Sequence, residues 1–406
     1  MVRIAACSSH ARPGADDNRY APIQKYGPQD CVASITAIVD NIDQVFDSGD
    51  ADMINKMKSV FGMESLSDGD FAQAIAWPSM FQNLRAGSNA DDGCSWRTIH
   101  LLYNACLHIS RECVNISAVA NTWQELNWDP LSGSNDFWLF CTNVTNLDAP
   151  ESITSVDYEL SSVTNGEPWT NLGNYANYIK KYLIPAACPD IAVNSTACAN
   201  TQDADYWADT SNSGDRSYLY TTCTEYGVYQ VAPKHGPSLI ANPLQVSYTQ
   251  QWCDWAFAPG QYNAISSTPN LWRTNKYGGY NVSQKRLAHI DGDQDVWLDV
   301  CYHSNLAPLR YSTSLQEETD HPQLLISGGG HHWDSNALGS VKNITLEPQF
   351  IQNVHLWEIR TVERWMRECT SCTIHSTRWP HADDSDRACF SLRIQNRSCY
   401  NRRSIW

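Results

Sequence analysis

The stretch from Arg286 to Asp334 limits the possible folds most strongly. It holds two short apolar runs, each followed by turn residues and ionisable side chains. The first run, with Leu287, Ala288 and Ile290, precedes the segment D-G-D-Q-D-V-W, and the second run, L-L-I, precedes S-G-G-G-H-H-W-D. Short apolar runs bounded by turn residues are typical of buried parallel strands. The sequence therefore predicts two parallel strands of an α/β protein.

Asp295 and His331 follow these two strands. Ligands and reacting groups gather beyond the carboxyl ends of the strands in open α/β sheets. An Asp on one such loop and a His on the next match the last two members of a Ser-Asp-His triad in the chain order of α/β-hydrolases. His331 would be the general base, and Asp295 would hold its other ring nitrogen. The three glycines before His331 allow a sharp turn.

Two other interpretations of these residues stay open. Asp295 could cap a loop while His331 lies on the surface. Alternatively, His331, His332 and Asp334 could bind a metal, because imidazole and carboxylate groups both bind zinc. Neighbouring His residues on an extended loop usually point in different directions, and no H-E-x-x-H motif is present to complete such a site. We therefore predict no metal and no other cofactor.

A calcium loop is excluded by the same stretch. Asp291, Asp293 and Asp295 form a D-x-D-x-D pattern that resembles the start of such a loop. That loop requires a Gly at its sixth position and a Glu at its twelfth. Val296 and Tyr302 occupy these positions.

The nucleophile expected for an Asp-His pair is missing from the sequence. A nucleophile elbow has the pattern G-x-S-x-G, which occurs nowhere in the 406 residues. Gly133-Ser134 and Gly236-Pro237-Ser238 approach the pattern without completing it. Since the pair cannot carry out acyl transfer without an activated hydroxyl, we expect no such activity from the chain as written.

The cysteines and glycosylation motifs indicate an oxidising compartment. The 15 Cys are scattered, without a second C-x-x-C at zinc-ribbon spacing, which favours disulfides over a metal scaffold. The N-terminus has no signal-peptide pattern, so we expect that the start of a secreted or lysosomal (vacuolar) protein is absent. Six N-x-S/T motifs agree with such an origin, at Asn115, Asn143, Asn194, Asn281, Asn343 and Asn396.

Charge and hydropathy exclude some partners. The formal net charge of −16 makes nucleic acids and anionic membranes poor partners. No apolar run approaches the roughly 18 residues that a membrane span needs.

Helical periodicity dominates the first half of the chain. A helix is predicted from Asp30 to Gly49, and a second from Met53 to Phe61, each closed by a glycine. Polar, Trp-rich loops are expected, notably at Asn121–Asp148, and no convincing strand alternation occurs before about residue 215. Shorter helices are expected at Phe71–Ala76, Ser95–Ile109 and Leu172–Leu183.

The second half has a different character. Ser217–Val231 is rich in β-branched and aromatic residues, which predicts strand structure. A strong helix is predicted at Gln349–Cys369, with Ile351, Val354, Ile359, Val362 and Met366 on its inner side. We predict a remnant of an α/β core at 1–27 (itself polar and irregular), a helical disulfide-linked domain at 28–215, the C-terminal part of the α/β core at 216–372, and an irregular or disordered tail at 373–406.

Four segments resemble the prolyl carboxypeptidase-like serine peptidases, which include Pro-X carboxypeptidase, dipeptidyl peptidase II, thymus-specific serine protease and fungal prolyl peptidases. T-C-T-E-Y-G at 222–227 resembles the family's T-C-T-E-F-G, and Y-G-G at 277–279 its Y-G-G turn. D-G-D-Q-D-V-W resembles N-G-x-x-D-P-W, whose Asp is catalytic and corresponds to Asp295. G-G-G-H-H-W-D resembles G-A-H-H-L-D, whose first His corresponds to His331.

The resemblance implies a partial α/β-hydrolase core with a helical cap, and cleavage of peptides after Pro or a small residue. It implies peptide substrates containing Pro; a homodimer and the exo- or endopeptidase character are left open. Trp297 is predicted to line the prolyl pocket, although core packing is a close alternative. Glu225 is predicted to orient the substrate amine or the cap. A non-catalytic, secreted peptide-binding homologue is the rival interpretation.

Overall fold

The computed structural model shows a helical layer beside small parallel sheets. It describes residues 3–6, 12–16, 20–76, 123–129, 135–187, 201–210, 214–261, 264–335 and 344–368. The expected helix Ser95–Ile109 and the C-terminal tail lie outside these residues. The helices are α1 (Ala21–Tyr26), α2 (Gln29–Ser48), α3 (Ala51–Val60), α4 (Asp68–Ala76), α5 (Asp136–Val144), α6 (Glu151–Thr154), α7 (Leu172–Tyr178), α8 (Ile184–Ala187), α9 (Ala204–Ala208), α10 (Gly214–Thr221), α11 (Val246–Ala256), α12 (Trp272–Asn275), α13 (Leu315–Asp320) and α14 (Gln349–Glu368).

The long N-terminal helices form as their periodicity predicts. Helix α2 buries a stripe of apolar side chains and ends at Gly49, which adopts a left-handed conformation with φ of 67°. Helix α3 begins at the cap residue Asp50, whose carboxylate accepts hydrogen bonds from the backbone N–H groups of Asp52 and Met53. Both predicted helices are confirmed.

An aromatic cluster holds the helical layer together. Phe140 on α5 lies between Tyr175 and Tyr178 of α7, with ring centroids 5.5 and 5.1 Å apart. The disulfide between Cys31 and Cys141 joins α2 to α5 across 110 residues. Burial of aromatic rings is a large source of folding free energy, so this layer is the main stabilising core of the described chain.

The described residues form two small parallel sheets. Strands β1 (Arg3–Ala6), β4 (Leu287–Gly292) and β5 (Gln323–Ile326) form a sheet in the order β1-β4-β5, with His289 opposite Gln323. A second sheet pairs β2 (Arg12–Asp16) with β3 (Gly227–Gln230). The two predicted strands of the Arg286–Asp334 stretch are confirmed.

Two expectations about the N-terminal half were wrong. Residues 1–27 are not simply irregular, because 3–6 and 12–16 form strands. Such four- and five-residue strands gain their hydrogen bonds from distant partners and leave almost no local pattern. Likewise, the predicted loop at Asn121–Asp148 contains helix α5, whose Phe140 packs against Tyr175 and Tyr178 of α7.

The strand prediction for Ser217–Val231 was mostly wrong. Only Gly227–Gln230 is a strand, and it follows helix α10 and a π-helical turn at Thr222–Tyr226. The disulfide between Cys223 and Cys253 ties this turn to α11. Tertiary contacts therefore override the β propensity of the aromatic and β-branched residues.

Helix α14 is confirmed, but its inner face differs from the predicted one. Its buried residues are Ile351, Val354, Thr361 and Trp365. Ile359 and Met366 are exposed instead. The sheet selects this face, because Val354 packs with the apolar residues of β4 and β5.

Among the described residues, no helix combines the length and the apolar character that crossing a bilayer demands.

Candidate active site

Asp295 and His331 are in direct contact at the ends of β4 and β5. The Oδ2 atom of Asp295 lies 2.9 Å from Nδ1 of His331. The carboxylate is buried, with Asp295 only 2% exposed, and its Oδ1 accepts a hydrogen bond from the backbone N–H of Trp297 at 2.8 Å. Since an ionised carboxylate only accepts hydrogen bonds, Nδ1 of His331 carries the proton in this pair. The Nε2 atom is then the one able to take up a proton.

Glycines bring the two loops together. A Cβ atom on Gly292 would lie 2.3 Å from the carbonyl oxygen of Gly329, so only glycine fits at this approach. The backbone N–H of Gln294 donates to the same carbonyl at 2.9 Å. The carboxylate of Asp293 accepts from the N–H of Gly328 at 2.8 Å. These contacts fix the position of the Asp loop relative to the His loop.

His332 stacks on the imidazole of His331. The ring centroids lie 3.7 Å apart with the planes inclined by 24°, and the backbone of His332 is left-handed with φ of 57°. Burial, assisted by the neighbouring His331, lowers the pKa of His332 to about 4. His332 is therefore neutral near pH 7 and places no positive charge against the His331 ring.

The stacking bears on the metal interpretation. Two imidazoles lying face to face direct their ring nitrogens side by side rather than toward one point, and Nδ1 of His331 is committed to Asp295. In the part of the chain that the structure describes, no three His, Cys, Asp or Glu side chains converge on a possible metal position.

A short segment at 123–128, W-Q-E-L-N-W, binds the Asp loop through indole hydrogen bonds. The Nε1–H of Trp123 donates to the carbonyl oxygen of Gln294 at 2.8 Å. In the opposite direction, the Nε1–H of Trp297 donates to Oε1 of Gln124 at 2.8 Å. Both bonds involve residues within two positions of Asp295.

The same segment binds the His loop. The Nε1–H of Trp128 donates to the carbonyl oxygen of Trp333 at 3.0 Å, and the Nε1–H of Trp333 donates to the carbonyl oxygen of Leu126 at 2.8 Å. Sequence reasoning missed this role of residues 123–128. The density of Trp in the segment was the available signal, because a buried indole requires an acceptor for its N–H.

A small cavity opens beside the pair. Its volume is about 150 Å³, and two of its lining residues, Gln294 and Gly330, directly precede Asp295 and His331. Its other lining residues are aromatic, amide-bearing or aliphatic: Trp123, Leu126, Asn127, Asn135, Trp138 and Trp333.

The two predicted substrate-binding residues lie in different surroundings. Trp297 is nearly buried and belongs to the main apolar core, while its indole N–H is used by Gln124. Glu225 lies in the π-helical turn after α10, partly exposed, and its carboxylate is 3.0 Å from Nη1 of Arg273. Neither residue is among those that line the cavity, and a role in substrate binding stays a prediction for both.

Ser238, the serine of one incomplete elbow pattern, is used in a turn. Its hydroxyl donates to the carbonyl oxygen of Ile240 at 2.7 Å and accepts from the N–H of the same residue at 2.9 Å. The residue is buried. Gly133-Ser134 lies outside the described residues.

A second Asp-His contact lies further back on β4. Nδ1 of His303 is 2.7 Å from Oδ2 of Asp291, which also accepts from the backbone N–H of His303. His289 stacks on Tyr302 nearby, and burial lowers the pKa of His289 to about 4. Sequence reasoning missed this contact, since only the tertiary fold returns residue 303 to the strand.

An acidic cluster lies behind the His loop. His355 on α14 connects Oε2 of Glu347, at 2.7 Å from Nδ1, with the carbonyl oxygen of Asp334, at 2.9 Å from Nε2. Glu358 occupies the inner face of the same helix. Burial, with the nearby carboxylate of Asp334, raises the pKa of Glu358 to about 7.

Two predicted glycosylation positions are described. Asn281 is exposed at the end of a short 3₁₀ turn. Asn143 is partly exposed on α5, and its side-chain amide donates to the carbonyl oxygen of Leu139 at 2.8 Å. The motifs at Asn115, Asn194, Asn343 and Asn396 lie outside the described residues.

Comparison with known proteins supports the resemblance read from the motifs. The model of the serine carboxypeptidase S28 family matches residues 149–341, a range that contains both Asp295 and His331. A probable extracellular serine carboxypeptidase of Arthroderma benhamiae is 26% identical over 363 residues, covering 86% of this chain and 43% of that protein. The serine protease vicPa of Bipolaris victoriae is 24% identical, covering 77% of this chain and 51% of that protease.

These matches confirm the resemblance to the prolyl carboxypeptidase-like S28 peptidases, and the chain is similar to proteins named as serine-type peptidases. The described residues combine small parallel sheets with helices and two disulfides. This α/β architecture agrees with the predicted fold class. The chain spans about half the length of the two relatives named above, 43% and 51% of them.

Proposed function

We propose that Asp295 and His331 are the acid-base pair of a serine-type peptidase. The observation that carries this proposal is the 2.9 Å contact between a buried carboxylate and Nδ1 of a partly exposed imidazole. The carboxylate fixes the tautomer of the ring and stabilises the imidazolium that forms during catalysis. The serine carboxypeptidase and serine protease names of the relatives support the same reaction class.

In the proposed reaction, Nε2 of His331 takes the proton of a serine hydroxyl as its oxygen attacks the peptide carbonyl. The imidazolium then gives that proton to the leaving amine as the C–N bond breaks, and an acyl ester remains. Water, deprotonated by the same nitrogen, releases the acid and restores the hydroxyl. Asp295 stays ionised throughout and holds the ring in place.

The proposed substrates are peptides cleaved after Pro or a small residue. We assign the helical residues within 28–215 to a cap over the site and residues 216–372 to the core that carries the pair. The bonds from residues 123–128 to both loops support a direct connection between cap and site. Trp297 and Glu225 keep their proposed roles in the pocket and at the substrate amine. We also propose a secreted protein, which the extracellular relative supports.

The proposed reaction requires a serine nucleophile, and the 406 residues contain no G-x-S-x-G elbow to supply it. We therefore expect this chain alone to leave a fluorogenic Pro-containing peptide uncleaved, at the same background as His331→Asn. Hydrolysis that is sensitive to a serine-directed inhibitor and lost in His331→Asn would support the acid-base pair and overturn the expected inactivity. Inhibitor-sensitive hydrolysis that persists in His331→Asn would overturn the role of the pair.

A second candidate function is peptide binding without cleavage. The cavity beside Gly330 favours it, because a cleft lined by aromatic side chains can hold a peptide whether or not a nucleophile is present. Saturable binding without turnover would distinguish this function from catalysis.

A further inference from the structure

We infer that His355 on α14 is a positioning residue for His331, because it holds the loop that follows His331 against this helix. The inference rests on the proposed function in taking His331 as the acid-base residue. It assigns a role to a side chain outside the pair, which acts through the backbone of the His loop.

Two neighbouring carbonyl groups of the His loop are held by two separate parts of the chain. The indole N–H of Trp128, in the segment 123–128, donates to the carbonyl oxygen of Trp333 at 3.0 Å. The Nε2 atom of His355 lies 2.9 Å from the carbonyl oxygen of Asp334, and we call this second bond the tether. The backbone directly after the two histidines is therefore fixed from α14 as well as from the segment 123–128.

The backbone between His331 and these carbonyl groups is strained. His332 has a left-handed φ of 57°, a conformation that is costly for a residue with a Cβ atom. Such a conformation persists only where the surrounding contacts determine it. The N–H of Ser335 donates to the carbonyl oxygen of His332 at 3.1 Å and closes the turn. Because the tether ends inside this turn, it holds the strained backbone, and with it His331, beside Asp295.

The ring of His355 faces one acceptor at each nitrogen. Nδ1 lies 2.7 Å from Oε2 of Glu347, and Nε2 faces the carbonyl oxygen of Asp334. A carbonyl oxygen only accepts, so Nε2 carries a proton. A neutral imidazole then has no proton on Nδ1, and the contact with Glu347 requires one more, carried by Nδ1 or by the carboxyl group. The His355–Glu347 pair therefore holds one additional proton while the tether is intact.

The surroundings favour this proton. The side chains of Glu347 and His355 are only 4% and 13% exposed, and an unpaired carboxylate is costly to bury. Burial raises the pKa of Asp334, and burial with the charge of Asp334 raises the pKa of Glu358 to about 7. His355 opposes the rise in both pKa values. The ring thus lies among carboxyl groups, where a positive charge is stabilised.

Helix α14 is a firm base for the tether. Val354, the residue before His355, is buried against the apolar residues of β4 and β5. The side-chain amide of Gln352 donates to the carbonyl oxygen of Glu347 at 2.6 Å. The acceptor of Nδ1 and the helix that carries the ring are therefore both fixed relative to the sheet.

Nitrogen-15 and proton NMR of the intact, histidine-labelled chain tests the inference. His355→Phe keeps a ring of similar shape and removes both donors. We expect the Nδ1 proton of His331 and the amide proton of Ser335 to exchange with solvent about tenfold faster in this variant. In Glu347→Gln, the amide can donate to Nδ1 of a neutral His355, so the tether and both exchange rates should be retained. A His355 ring without a proton on Nε2 would contradict the tether.

Val354→Ala is the control for a purely structural role. It weakens the packing of α14 on the sheet without removing a donor, so it should lower the urea midpoint and leave the exchange of the His331 proton unchanged. If His355→Phe does not fold, His355→Gln gives the same test, because both of its donors are on one nitrogen atom and cannot reach both acceptors. Unchanged His331 exchange in the His355 variant, or equal acceleration in Val354→Ala, would overturn the positioning role.

The two readouts separate this inference from the proposed function. A His331 signal that is indifferent to Asp295→Asn would overturn the acid-base pair. The amide of Ser335 reports on the loop alone. Faster exchange of this amide in His355→Phe supports the tether in either case, and an unchanged rate overturns it.

Discussion

The helical layer and the loops at the sheet edge are built in opposite ways. In the layer, apolar and aromatic side chains fill a core, and Phe140 with Tyr175 and Tyr178 is typical of it. At the sheet edge, Val296 and Trp297 also join the apolar core, but the Asp295–His331 contact itself is held by backbone amides and indole N–H groups. Stability and chemical geometry in this chain therefore depend on different kinds of interaction, apolar packing for the first and hydrogen bonds for the second.

The contrast has a consequence for substitutions. Core packing is non-directional, so a lost side chain in the layer reduces the free energy of unfolding in proportion to the volume removed. Removing one hydrogen bond from the loops lowers the free energy of unfolding only slightly, but it removes a contact that fixes the geometry of the site.

Removing the disulfide of the layer should have the largest effect. The Cys31–Cys141 bridge spans 110 residues, and Cys31→Ala with Cys141→Ala should lower the free energy of unfolding by about 5 kcal/mol on loop-closure grounds. The bridge from Cys223 to Cys253 spans 30 residues and should contribute about 4 kcal/mol by the same relation. Urea denaturation followed by circular dichroism measures both losses in the free energy of unfolding. A larger loss for the bridge with the shorter loop would contradict the loop-closure argument.

Deleting one core ring should come next. Phe140→Ala removes a fully buried ring from the cluster and should cost about 3–5 kcal/mol. Its neighbour Leu139 is 51% exposed, so Leu139→Ala is the matched control and should change stability by at most about 0.5 kcal/mol. Similar losses for both variants in urea would show that α5 does not face the core as described.

The acidic cluster should make stability depend on pH. Because the pKa of Glu358 is raised to about 7, the folded state binds its proton more tightly than the unfolded chain. This contribution is complete below about pH 4.5 and is lost as the pH rises toward 7. It amounts to about 3 kcal/mol. Glu358→Gln should therefore match the native protein at pH 4 and exceed it by up to about 3 kcal/mol at pH 8.

The control for this titration is His332, which acts in the opposite direction. Its pKa is lowered to about 4, so its contribution is present above about pH 6.5 and is lost as the pH falls toward 4. Thermal melts of native and variant chains at each pH separate the two residues. A Glu358→Gln chain less stable than the native one at pH 8 would contradict the burial of this carboxyl.

The smallest effect on stability should come from the loops. Trp128→Phe deletes one N–H donor to the carbonyl of Trp333 and should cost about 1 kcal/mol. Trp138→Phe, at an indole not bonded to the loops by a described hydrogen bond, is the control and should be nearly neutral. If Trp128→Phe destabilised the chain as much as Phe140→Ala, the proposed division between layer and loops would fail.

The same contrast explains which features the sequence could predict. Helices α2, α3 and α14 are long and periodic, so their existence follows from residue spacing. The inner face of α14 does not, because it is set by tertiary contacts such as the bond from the indole N–H of Trp365 to the carbonyl oxygen of Thr319 on α13. Strands β1 and β2 are too short to show alternation and depend on distant partners.

Within the site, chain order was enough to bring Asp295 and His331 together as a hypothesis, because consecutive parallel strands place their loops at one edge. The support from residues 123–128 was not predictable in the same way. Three of its four bonds end on backbone carbonyls, which carry no residue-specific signal. The stacking of His332 on His331 depends on a left-handed backbone at a non-glycine residue, which the sequence alone does not indicate.

The most direct test of the central claim is the nitrogen-15 and proton NMR spectrum of the imidazole of His331, recorded at a pH where the ring is neutral. The account predicts that the proton resides on Nδ1, and that its resonance is shifted downfield by the charged hydrogen bond to Asp295 and loses that shift in Asp295→Asn. In Glu347→Gln, which alters the partner of His355 instead, the His331 signal should stay in place. A proton on Nε2, or a His331 spectrum indifferent to Asp295→Asn, would contradict the pairing on which the proposed chemistry depends.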